Sequence, residues 1–126
     1  MNMKVLLSIK PEFAEKILSG EKTFEFRRAV FKEPNISAVV IYASSPVQKV
    51  VGEFSIDDVY EMPPAELWEK TSQGSGIDRK YFDAYFEGKR KGYAIKVGRV
   101  FCYDSPINLG SLGIKTPPQS FCYLDR

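Results

Sequence analysis

The segment Gly20-Glu21-Lys22-Thr23-Phe24-Glu25-Phe26-Arg27-Arg28 gathers ionisable side chains where a glycine turn meets an alternating run. Period-two alternation puts Thr23, Glu25 and Arg27 on one face, with Phe24 and Phe26 on the other. If that polar face lines a cleft, Arg27 offers a planar fork for phosphate or a base edge. Glu25 would orient the fork or accept from an exocyclic amine. Lys22 supplies a point charge or, once desolvated, a nucleophile or base. An ion pair on a solvated face is the plainer reading of the same spacing.

The chain contains no histidine. Ser-His-Asp and Cys-His nucleophile pairs are therefore excluded, as is histidine-ligated zinc. Acid–base chemistry has to use Lys, Glu, Asp, Tyr or a thiol. The two cysteines, Cys102 and Cys122, form no CxxC pair and are read as buried free thiols. No metal and no cofactor are expected.

Three more segments carry polar groups at element boundaries. Ser8-Ile9-Lys10-Pro11 lies where a strand passes into a helix, so free N–H groups and Lys10 can hold an anion. Tyr42-Ala43-Ser44-Ser45-Pro46 ends a strand with a phenol for stacking and two hydroxyls. Pro117-Pro118-Gln119-Ser120-Phe121 offers an amide able to read a base edge beside an aromatic. Each is equally an ordinary cap, Ser-Pro turn or rigid loop.

The elements that must position these groups follow from pattern and length. A chain of 126 residues, 44% apolar and 27% charged, fits a single domain over residues 1–126. Strands are expected at Lys4 to Ile9, Thr23 to Arg27, Ala38 to Ala43, Val47 to Tyr60, Tyr93 to Tyr103 and Ser120 to Leu124. Pro11 opens a helix with the stripe Phe13, Ala14, Ile17 and Leu18, and Gly20 closes it. Pro63-Pro64 opens a short helix. Asp78 caps a third with the stripe Tyr81, Phe82, Tyr85 and Phe86, read mainly as core. The fold class is α+β: a small mixed β-barrel of five or six strands with about three short flanking helices, since a barrel leaves no exposed edges.

Net charge is only +2, but Glu53 to Glu69 carries six acids and no base, while Arg79 to Arg99 carries seven bases against two acids. Such segregation suits an anionic partner such as nucleic acid. The apolar core of Met1 to Ser8 is too short for a signal peptide, and no apolar run approaches the roughly 20 residues of a membrane span. A cytoplasmic protein with no membrane partner is expected.

In order along the chain, Ser8-Ile9-Lys10-Pro11, Gly20-Glu21-Lys22, Glu25-Phe26-Arg27-Arg28, Tyr42-Ala43-Ser44-Ser45-Pro46, Gly92-Tyr93-Ala94-Ile95 and Pro117-Pro118-Gln119-Ser120-Phe121 together resemble the ASCH domain, a branch of the PUA-like superfamily. The G-x-K-x-x-E-x-R segment at Gly20 to Arg27 is the most specific part. The resemblance implies a small barrel with a cleft between the first helix and the barrel mouth, binding RNA or a modified nucleoside. The ligand-binding residues it implies are Ser8, Lys10, Lys22, Glu25, Arg27, Tyr42, Ser44, Ser45, Gln119 and Ser120. The Lys89-Arg90-Lys91 turn would add non-specific attraction. The alternative is a small hydrolase, a nucleoside amidohydrolase or ribonuclease, with Lys22 and Glu25 catalytic. In the amidohydrolase branch a Lys, a Thr and a Glu act together. Here Lys22 matches the Lys, Glu25 stands where the Thr belongs, and Lys70 to Ile77 contains no carboxylate. A third reading is an interaction module whose aromatic helix, Tyr81 to Phe86, docks a protein partner.

Overall fold

The computed structural model describes residues 3–124. Strand β1 (Met3–Ile9) is followed by helix α1 (Pro11–Ser19), β2 (Phe24–Arg27), β3 (Ile36–Ala43) and β4 (Lys49–Met62). Helices α2 (Pro64–Thr71) and α3 (Arg79–Tyr85) come next, then β5 (Gly92–Ile107) and β6 (Phe121–Leu124). Local sequence explains the boundaries. Pro11 starts α1 where its missing N–H is harmless, and Gly20 ends it in the left-handed region at φ 88°. The Asp78 carboxylate accepts from the Tyr81 N–H at 2.8 Å, capping α3.

The six strands form one mixed sheet in the order β2-β5-β4-β3-β1-β6. Strands β1 and β3 run parallel, in register from Lys4 with Ala38 to Ile9 with Ala43, and the other neighbours are antiparallel. Because β1 is buried on both faces it is apolar throughout its centre. Val5, Leu7 and Ile9 pack with Ala14 and Ile17 of α1. Leu6 faces the other way and packs with Val40, Tyr42 and Val50. A separate aromatic cluster of Phe24, Phe26, Phe82 and Phe86 holds α2 and α3 against β2 and β5.

Two expectations are corrected. The sheet is not a closed barrel: β2 and β6, four residues each, are its edges and do not pair among the described residues. Closure is left to a side chain, Arg27, which reaches from β2 to carbonyls at the far end of the sheet. The cysteines are free, but neither is buried. Cys102 is exposed on the outer part of β5 beside Phe101, while Cys122 is partly covered by the Leu6 cluster. β5 runs for 16 residues, and its second half is mostly exposed.

Candidate nucleic-acid interface

Lys22 is the chemical centre of the molecule. It follows the α1 stop directly, so the left-handed turn at Gly20 sends its side chain inward, where only 1% of the residue remains exposed. Its Nζ donates to the Ser75 carbonyl at 2.5 Å and lies 4.8 Å from the centre of the Phe26 ring and 5.2 Å from that of Phe13. The loop after α2 wraps its aliphatic stem. At Gly76 the backbone has φ +68°, and an added Cβ would lie 2.6 Å from Lys22 Cβ and Cγ, so only glycine fits. Lys16 Nζ fastens the same loop by donating to the Gly76 carbonyl at 3.1 Å. Thus the carboxylate-free segment from Lys70 to Ile77 meets the lysine with a backbone carbonyl.

Burial pushes the Lys22 ammonium down from 10.5 to about 8; the Glu25 charge opposes the shift and the Lys16 charge adds to it. The amine is therefore deprotonated more readily than that of an exposed lysine. In its neutral form one N–H still serves Ser75, and a lone pair is available to a ligand.

Glu25 is also buried, at 6% exposure, and its Oε2 accepts from Arg27 Nη1 at 3.1 Å. Arg27 Nη1 also reaches the Ser8 carbonyl at 3.3 Å, and Nη2 donates to the Ser120 carbonyl at 2.8 Å. The fork expected to hold phosphate is thus engaged with three acceptors of the protein. It ties β2 to the ends of β1 and the β6 approach, and it fixes Glu25.

A cleft of about 250 Å³ opens above these groups. It is lined by Ser8, Lys10, Lys22, Glu25, Arg27 and Gln119 among the expected residues, together with Phe13, Arg28, Ile77, Tyr81 and Tyr85. The remaining expected residues lie elsewhere. Tyr42 is 3% exposed within the Leu6 cluster, so it offers no stacking face. The Ser44 N–H donates to the Ile9 carbonyl, and Ser45 stands in the exposed turn that follows β3. Ser120 contributes its carbonyl to Arg27 rather than its hydroxyl to the cleft. Lys91 of the basic turn pairs with Glu61 at 2.5 Å on an exposed surface.

The core reading of the stripe holds for Phe82 and Phe86 and in part for Tyr85, which packs against their cluster, but not for the exposed Tyr81. Within the i, i+4 pairs of α3, the hydroxyl-free rings Phe82 and Phe86 are core, and the hydroxyl-bearing rings Tyr81 and Tyr85 face the cleft. Burial pushes the Tyr85 hydroxyl up, and it donates to the Phe26 carbonyl at 3.2 Å.

The ASCH domain family profile matches residues 7–101. The chain belongs to the ASCH family. An ASCH domain-containing ribonuclease from Zymomonas mobilis is 35% identical over 128 residues, covering 98% of this chain and 85% of that protein. The crystal structure of an ASCH protein from the same organism superposes with a TM-score of 0.88 at 32% identity, covering 98% of this chain and 88% of that one. The large ribosomal subunit protein uL22 of Ureaplasma parvum is 31% identical over 121 residues, or 95% of this chain. That match occupies 39% of the uL22 protein, so this chain spans about two fifths of its length. Among the described residues no helix is long and apolar enough to cross a membrane.

Proposed function

We propose that this ASCH domain binds RNA in the cleft between α1, α3 and the end of β1. The observation that carries the reading is the convergence of Lys10, Lys22, Arg27 and Arg28 on one 250 Å³ cleft, whose carboxylate, Glu25, is already paired with Arg27. That volume is just below the usual range for drug-sized ligands, which suits one nucleotide unit of a strand. Since Arg27 is engaged, phosphate contact falls to the exposed Lys10 and to the Nη groups of Arg28, whose Nε alone is spent on the Tyr85 carbonyl. The ribonuclease relative supports RNA as the ligand class. Anisotropy of a short labelled single-stranded RNA, titrated from about 50 to 200 mM salt, tests it. Binding that falls with salt and weakens in Lys10→Ala/Arg28→Ala is expected. Absence of binding at the lowest salt overturns the RNA reading and turns the search to free modified nucleosides.

A second reading, cleavage of the bound strand, is favoured by the state of Lys22. Its neutral amine would take the proton of a ribose 2′-hydroxyl as that oxygen attacks phosphorus. The 5′-oxygen then leaves, and the ammonium returns the proton to it. Lys22→Met should abolish turnover while leaving RNA affinity within a few-fold of the parent. Undiminished cleavage by that variant excludes Lys22 as the base.

A further inference from the structure

The rings beneath Lys10 and Arg28, on the outer wall of the cleft, have no part in phosphate contact. Tyr81 and Tyr85 present near-parallel rings, 11° apart in plane and 6.5 Å between centroids. Tyr85 is fixed on every side. Its hydroxyl donates to the Phe26 carbonyl, its own carbonyl accepts from Arg28 Nε at 2.7 Å, and the Arg28 guanidinium lies 4.2 Å over its ring. Tyr81 packs with Phe13 in a T-shaped pair, at 5.3 Å and 81°, yet remains 36% exposed. Its hydroxyl makes no hydrogen bond among the described residues. Lys10 Nζ lies over its ring, 5.4 Å from the centroid.

An aromatic ring with a rigid backing, an accessible face and a mobile cation over it is a stacking platform for a flat, electron-rich group. We propose that Tyr81 is the platform on which one unpaired nucleobase stacks, with Lys10 moving from the ring to the adjoining phosphate. This rests on the RNA reading above and narrows it: the ligand is a single strand with an exposed base, because in a duplex the base faces are covered by their neighbours. The arrangement also sets a path, from Lys10 across Tyr81 to Arg28.

Two otherwise identical labelled strands test this, one with all bases present and one whose riboses carry no base. Tyr81→Ala should weaken binding of the base-bearing strand about tenfold. It should leave the base-free strand unaffected, because the phosphate contacts are the same. Tyr81→Phe keeps the ring and should bind both strands as the parent does, which also reports that the fold is intact. Equal weakening of both strands by Tyr81→Ala, or weakening of neither, overturns the platform while leaving the RNA reading standing. Failure of the parent protein to bind either strand removes both.

Discussion

Two lysines on opposite faces of the sheet sit near glutamates, and their surroundings differ in one respect. Lys4 Nζ donates to both oxygens of Glu53, at 3.1 and 2.9 Å, and Tyr103 caps the same carboxylate at 2.8 Å. The carboxylate there raises the Tyr103 hydroxyl well above its ordinary range, after burial as the larger cause. At the cleft, Arg27 has taken the Glu25 carboxylate, and Lys22 is left with a neutral carbonyl. A lysine whose charge is answered directly is a cross-link between strands. A lysine whose counter-ion is held by another cation loses hydration without full compensation and becomes easier to deprotonate.

The largest effect should come from removing the cation that holds Glu25. Arg27→Ala leaves a buried carboxylate unpaired and cuts the tie between β2 and the β6 approach, which should destabilise the fold by about 3 kcal/mol. Urea denaturation measures this. Adding Glu25→Gln should restore part of the loss, and no restoration would mean that the tie, not the charge, dominates.

The next effect is a pH dependence. The folded protein holds the Lys22 proton less tightly, about 8 against 10.5, so the unfolded chain binds more protons between those values. Stability should therefore rise with pH through that window, by up to about 3 kcal/mol from this group. Tyr85 and Tyr103 act oppositely above pH 10, because both hydroxyls are pushed up in the folded state. The clean comparison is the parent against Lys22→Met between pH 7.5 and 9.5 (roughly the range that spares the tyrosines). The rise should be absent from the variant.

The smallest effect is the most direct test of the contrast. At pH 7 Lys22→Met should stabilise the protein by about 1 kcal/mol, since a buried ammonium is replaced by an apolar group of similar length. Lys4→Met should destabilise it by about 1 kcal/mol, by leaving Glu53 with only Tyr103. Thermal unfolding of both variants would show the same substitution acting with opposite signs. Two changes of the same sign would erase the distinction between the sites.

Features set by neighbours in sequence were legible from the start. The Pro11 start, the Gly20 stop and the Asp78 cap depend on a few consecutive residues, and alternation in β2 placed Glu25 and Arg27 together. Features set by distant partners were not. The carbonyls that occupy Arg27 belong to Ser8 and Ser120, 19 and 93 residues away, and no local pattern encodes them. Tyr42 looked like a strand-end phenol, but the 104–118 segment folds back over that face and buries it with Leu109, Leu112 and Ile114. Strand count was readable from composition and turns, whereas closure depended on whether two short edges would meet.

Those two edges bear on how the molecule behaves among its own copies. A sheet with free ends is a template for further strands, and long flat ends invite stacking into aggregates. Here each end is only four residues long, and β2 carries a charged pair within that length. Arg27 also occupies the Ser120 carbonyl at the approach to the opposite edge, leaving one fewer free acceptor for an incoming strand. The guanidinium that orders the cleft thus doubles as a stopper against edge-to-edge growth, so its loss should show first as turbidity at high protein concentration.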